Sequence, residues 1–382
     1  MRSVIGMMVN RQKFLPEAIL ASFCCHTIHF CDELAMLYEL NKKALPESFT
    51  SQLQHEKQKL IGVFVIGESA NRNHWGLYGY PRATTPELEK LQNEIYIYKD
   101  VISPHAQTGP SLCYMLTSAS LQNKKNMQYS LIKILKECGF SVNLVSNQDN
   151  WGTFDSSISL LTAACDNRIY IRRSEMLYTP MDELVLPELR NLLQNNNDST
   201  PLFIIIHLMG SHFSYKERYP DKFQYYNTSI NDEVTANLAT KNIKVQNEYD
   251  NSIRYTDYVL AQIIKELQSI KEPTFMLYTS DHSEINGLDN IDDKRSANVT
   301  EKACYEIPFV LWLSPEYKKR YKKLESDLNQ TLAHPAQTDN IMYGLLYLSQ
   351  ISWPNFPHDK NIFSKNFTPA ARFMANGCVE YK

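Results

Sequence analysis

Short apolar, β-branched runs, each stopped by polar residues and set apart by a helical pattern, constrain this chain most. Ile61-Gly-Val-Phe-Val-Ile66 is apolar throughout and ends at Gly67, as expected of a strand buried on both faces. Phe140 to Val145, Pro201 to Ile206 and Thr274 to Tyr278 repeat the pattern, and Ile307 to Leu313 adds a further run. Helical periodicity fills the intervals at Met127 to Cys138, Met181 to Gln194 and Ile243 to Ile270, and a late helix is expected from Thr338 to Gln350. Strands alternating with long helices imply βαβ crossovers, hence an α/β domain with a mostly parallel sheet covered on both faces. That texture begins at Ile61, so residues 61–382 read as one domain. Residues 1–60 read as a helical prefix (Phe14 to Leu40, then Pro46 to Lys59) without a strand signal.

The prefix offers no membrane span. Its most apolar stretch, Ala18 to Cys25, is flanked by Glu17 and His26, whereas a spanning helix needs roughly 20 apolar residues. The start, Met1-Arg2-Ser3 and then Val4 to Val9, turns polar too soon for a signal peptide. Read by itself, the chain carries no export signal. The net charge of −3 and the scattering of 39 basic residues argue against a nucleic-acid footprint, so an anionic partner must be recognised locally. Eight cysteines without CxxC pairs form neither a disulfide framework nor a zinc ribbon.

In such sheets the site lies beyond the carboxyl ends of the strands. The first run is followed by Gly67-Glu68-Ser69, the third by His207-Leu-Met-Gly-Ser-His212, and the fourth by Thr279-Ser280-Asp281-His282. Glu68, Asp281 and His282 offer two hard oxygens and an imidazole, a set suited to zinc or manganese. A lone Glu or His at a strand end is usually a solvated loop residue; adjacent Asp and His after an apolar strand carry more weight. The segment His105-Ala-Gln-Thr108-Gly-Pro-Ser111 sets a hydroxyl before a helical pattern from Pro110 to Ala119. Thr108 is thereby placed at a helix N-terminus, where N–H groups and the dipole favour a phosphate. Thr before a helix is more commonly an N-cap; as a nucleophile it would need a metal to remove its proton.

Together these residues resemble the bacterial phosphoethanolamine transferases of the alkaline-phosphatase/sulfatase superfamily. The resemblance rests on Gly67-Glu-Ser-Ala-Asn-Arg72, Leu77-Tyr-Gly-Tyr80 with Arg82 and Thr84-Thr-Pro86, and His207 to His212 with Tyr219-Pro220 and Phe223. Tyr249 to Asp257, Ser280-Asp-His282 and Ile307 to Trp312 complete it, in order, over roughly residues 60–382. It implies a three-layer sandwich with a central mixed sheet between helices. It also implies a catalytic zinc on Glu68, Thr108, Asp281 and His282, with manganese as a substitute and the second metal left open. Thr108 would take phosphoethanolamine from phosphatidylethanolamine as a covalent intermediate and pass it to a cell-envelope glycan or lipid A. His212 would hold the phosphoryl group or a second metal, Arg72 would contact the phosphate, and His207 would either join that contact or serve a structural role at the strand end. The implied setting is the periplasmic face of a bacterial inner membrane, reached in the family through transmembrane helices ahead of this domain.

The chain departs from the family pattern in three places. The family's transmembrane helices are not found ahead of Ile61, so residues 1–60 read as a candidate remnant of a missing membrane region. Ser283 stands where Asp-His-Gly-Glu has glycine, and no histidine occurs between His282 and His334. The stretch from Asp289 to Lys302 offers Lys294 or Arg295 for a phosphate contact instead. A formylglycine sulfatase is disfavoured, because Gly-Pro-Ser-Leu-Cys113 after Thr108 has no arginine where that conversion needs one. The remaining alternatives are a phosphoglycerol transferase or phosphodiesterase of the same superfamily, and a non-catalytic domain that binds lipid or protein.

Overall fold

The computed structural model describes residues 37–40, 42–56, 59–122, 127–148, 155–172, 178–196, 199–229, 232–236, 240–284 and 300–382. Seven strands build one sheet: β1 Ile61–Gly67, β2 Ile95–Ile97, β3 Ser141–Ser146, β4 Asn167–Tyr170, β5 Leu202–His207, β6 Thr274–Ser280 and β7 Phe309–Leu313. Their order across the sheet is β2-β7-β6-β1-β5-β3-β4. The central pairs are parallel, with Ile66 opposite both His207 and Thr279. Strand β7 alone runs antiparallel to its neighbours. The apolar runs are strands for the expected reason: β1, β5, β6 and β7 are buried at every residue.

Helices α1 Pro86–Lys90, α2 Thr108–Leu116, α3 Leu131–Glu137, α4 Val185–Asn195, α5 Thr240–Gln268 and α6 Ile341–Leu348 cover the two faces. Alternate strand residues sort into two cores. Phe64 and Ile66 pack with Leu112 of α2, Leu131 of α3 and Leu345 of α6. Val63 and Val65 pack with Leu88 of α1, Val185 of α4 and Ile263 of α5 on the other side. This is the three-layer sandwich expected from the sequence. The expected helix from Met127 is shorter, because Ser130 bridges Thr117 before α3 begins. Helix α2 also shifts, from the expected Pro110 start to Thr108.

The described part of the 1–60 segment does not stand apart. Leu37, Leu40 and Phe49 are buried in the α2/α3/α6 core. Gln54–His55 pairs antiparallel with Ile351–Ser352, and Phe49 stacks on Tyr129 with ring centroids 4.4 Å apart. The rest of the expected helix from Phe14 lies outside the described residues. Among those described, no helix is long and apolar enough to cross a membrane, and Cys138, Cys165 and Cys378 are free thiols.

Candidate functional site

Strands β1, β5 and β6 are neighbours running the same way, so Glu68, the loop after His207, and Asp281-His282 emerge at one edge. The antiparallel β7 brings its beginning to that same edge. The Ser283 N–H donates to the Cys304 carbonyl at 3.1 Å, and Asn71 Nδ2 to that of Ala303. Helix α2 points its first turn at this edge. Thr108 is the first residue of the helix rather than its cap, and the preceding Gln107 makes no side-chain cap. The Thr108 hydroxyl donates to Glu68 Oε2 at 3.1 Å and lies 3.4 Å from His282 Nε2.

Glu68, Asp281 and His282 each present one ligand atom, all within 4.8 Å of one another. His282 Nε2 sits 3.2 Å from Glu68 Oε1 and 3.6 Å from Asp281 Oδ2. Its Nδ1 meets the Ser283 carbonyl at 2.9 Å, which aims Nε2 inward. Burial alone would raise the Glu68 carboxyl, but His282, His212 and the Ser69 hydroxyl hold it well below its ordinary value. Burial, with the Glu68 charge beside it, pushes Asp281 up to about 8. Burial opposes charge on His282, yet Asp281 and Glu68 prevail and push it up to about 10. Two carboxylates at this separation ionise together only when a cation neutralises them. Asp281 Oδ2 is buried without a hydrogen-bond partner among the described residues. A divalent ion satisfies both conditions, so the donor set fits zinc held by Glu68, Asp281, His282 and Thr108.

Neighbouring residues fix these side chains. Ser69 adopts the left-handed conformation (φ 56°) immediately after Glu68, and its hydroxyl donates to Glu68 Oε1 at 2.7 Å. Gln148 Nε2 donates both to Glu68 Oε2 and to the Leu208 carbonyl, at 3.0 Å each. Buried Asp182 accepts the Met209 and Gly210 N–H groups at 2.8 Å and so shapes the loop after β5. Gly210 has φ +53°, and a Cβ there would sit 2.8 Å from the Glu68 backbone nitrogen and oxygen. Tyr249 of α5 donates to the Ser69 carbonyl at 2.7 Å and accepts the Asn71 N–H at 2.9 Å. Gln148 and Asp182 escaped the sequence reading, since neither lies in a motif and only their packing shows what they hold.

A cavity of about 420 Å³ opens above this group, lined by Glu68, Thr108, His282, His212, Phe213 and Glu284 among others. The structure brings together Glu68, Thr108, Asp281, His282 and His212 of the expected site residues. Arg72 and His207 stand apart from the cavity wall. The Arg72 guanidinium donates to the Val101 carbonyl at 2.9 Å and pairs with Glu306 at 3.5 Å, so it braces the loop before β7. His207 ends β5 and is buried, and burial pushes it down to about 4. Neither of its ring nitrogens has a hydrogen-bond partner among the described residues. Arg72 is thus engaged away from the cavity, and His207 has its place at the buried strand end. Ser283 avoids positive φ, so the serine in the glycine position needs no special backbone. Lys294 and Arg295 lie outside the described residues.

The sequence profile of the Sulfatase family matches residues 61–351. Phosphoethanolamine transferase EptC of Escherichia coli K12 is 28% identical over 348 residues, 87% of this chain and 58% of EptC. The Kdo(2)-lipid A phosphoethanolamine 7''-transferase of the same organism is 25% identical over 326 residues, 79% of this chain and 54% of the relative. The chain thus spans just over half the length of these relatives. The C-terminal periplasmic domain of EptC from Escherichia coli, solved in complex with zinc, superposes with a TM-score of 0.79 at 26% identity. That likeness covers 89% of this chain and 96% of the solved domain.

Proposed function

The chain belongs to the sulfatase family, and on that premise we propose that residues 61–382 are the catalytic domain of a metal-dependent phosphoethanolamine transferase. The observation that carries this reading is the Thr108 hydroxyl, set at a helix N-terminus and aimed at Glu68 and His282. A phosphoryl group approaching that hydroxyl meets the free N–H groups of the first turn of α2, which stabilise its charge. Bound zinc, or manganese in its place, would lower the pKa of the Thr108 hydroxyl and offset the charge of the phosphoryl oxygens.

The Thr108 oxygen forms a bond to the phosphorus of phosphatidylethanolamine. The phosphorus–oxygen bond to diacylglycerol breaks, and the diacylglycerol oxygen takes up a proton. A hydroxyl or phosphate of lipid A or an envelope glycan then attacks the same phosphorus, and the Thr108 oxygen leaves and is reprotonated. His212, exposed at the cavity wall, is suited to donate a hydrogen bond to the phosphoryl group. The acceptor class is supported by the lipid A transferase among the relatives, and the periplasmic face of an inner membrane by the periplasmic EptC domain. Diacylglycerol release from phosphatidylethanolamine by the zinc-loaded chain tests the reading. Release that depends on added zinc and vanishes in Thr108→Ala supports it; equal release by Thr108→Ala contradicts it.

A further inference from the structure

The stretch Tyr249 to Asp257 of α5 supplies none of the described residues that line the cavity, yet two of its hydroxyls reach the loops that do. Tyr249 and Ser252 are fully buried and, three residues apart on a helix, share one face. Tyr249 donates to the Ser69 carbonyl at 2.7 Å and accepts the Asn71 N–H at 2.9 Å. It therefore grips the backbone around Ser69, the left-handed residue whose hydroxyl meets Glu68 Oε1. The Ser252 hydroxyl is hydrogen-bonded to the Tyr249 carbonyl at 2.6 Å and to the Ser211 hydroxyl at 2.9 Å. Ser211 directly precedes His212, and its own N–H donates to the Glu68 carbonyl at 2.9 Å.

This turn of α5 is itself anchored. The Tyr249 ring is held edge-on by His74 at 4.9 Å and by Tyr215 at 5.0 Å. Buried Asp250, next in the chain, meets His74 Nδ1 and the Tyr80 hydroxyl at 2.9 Å each and the Arg82 guanidinium at 2.7 Å. We propose that Tyr249 and Ser252 are paired positioning residues on this anchored turn. Tyr249 holds the Glu68-Ser69 turn in the geometry that binds the metal. Ser252 holds the Ser211-His212 end of the β5 loop, so that one helical turn sets the reach from the metal group to His212. Each acts through the residue it holds, by a buried hydrogen bond whose loss leaves a polar group without its partner. The Ser252 half rests on the transferase reading, in which His212 meets the phosphoryl group; the Tyr249 half needs metal binding alone.

The test uses the full chain and two deletions of a single hydroxyl, Tyr249→Phe and Ser252→Ala. Zinc affinity is read by chelator competition. Transfer from detergent-dispersed phosphatidylethanolamine is read as kcat and KM at saturating zinc. Tyr249→Phe should weaken zinc binding about tenfold. Ser252→Ala should change zinc affinity by less than about threefold and lower kcat about tenfold at nearly constant KM. Lower melting temperatures in both variants, with zinc affinity and kcat unmoved, would mean a merely structural role and overturn the proposal. Zinc affinity that falls alike in both would overturn the division between them. Should one variant fail to fold, the other decides alone. A wild-type chain that binds zinc but transfers nothing removes the transferase reading and the Ser252 half with it, and the Tyr249 half then stands or falls on zinc affinity.

Discussion

At the scale of single residues, the site is a cluster of negative charge built to be neutralised from outside. Thr108 is half-buried at a helix start and holds no core together, so Thr108→Ala should cost less than about 1 kcal/mol of stability. The same change should cut transfer on the order of 10³-fold or more, read as kcat against thermal melting. Gln148 tells a different story. It supplies Glu68 Oε2 with an N–H donor, so Gln148→Leu should weaken zinc binding about 10- to 100-fold in chelator competition. Unchanged affinity would mean that Glu68 is oriented without it. The contrast shows what was legible in the sequence. Glu68, Asp281, His282 and Thr108 stand directly at strand ends or a helix start, where position along the chain implies position in space. Gln148 and Asp182 depend on how crossing segments meet, which no local pattern encodes. Arg72 and His207 lie inside matching motifs, yet one braces the Glu306 loop and the other is the buried last residue of β5.

At the scale of elements, β1, β5 and β6 were legible because burial on both faces leaves an uninterrupted apolar run. Strands β2 and β4 were not, being three or four residues long and, in Asn167–Tyr170, half polar. Nor does apolarity carry a direction, so these runs could not say which strand of the mixed sheet is antiparallel; it is β7, and the segment ahead of it brings Cys304 to the cavity. The loop after β5 is fixed by its close approach to Glu68. Gly210→Ala should therefore lower stability by about 1–3 kcal/mol and loosen zinc binding, measurable by denaturant unfolding and metal titration. On α5, Asp257 accepts the Glu87 and Leu88 N–H groups at the start of α1, both at 2.8 Å. Burial pushes its carboxyl up to about 7 from an ordinary 3.8, so the folded chain holds this proton more tightly than the unfolded one. The stability Asp257 contributes is complete below pH 3.8 and is lost as pH rises through about 7. Asp257→Asn should flatten that decline in unfolding free energy; an unaltered slope would contradict the assignment.

At the scale of the whole molecule, one sheet edge gathers segments from the first strand, helix α2, the β5 loop, the β6 end and the start of β7. A metal held by Glu68, Thr108, Asp281 and His282 would tie the end of β1, helix α2 and the end of β6 together, and a ligand that binds only the folded state stabilises it. Chelation should lower the melting temperature, and added zinc should restore it in the wild type but not in His282→Ala. The central claim is that Thr108 carries the transferred group, and intact-protein mass spectrometry tests it most directly. The zinc-loaded chain, incubated with phosphatidylethanolamine and no acceptor, should gain the mass of one phosphoethanolamine group, with peptide mapping placing it on Thr108. A folded, zinc-loaded chain that gains no such mass, or gains it elsewhere, would contradict the account.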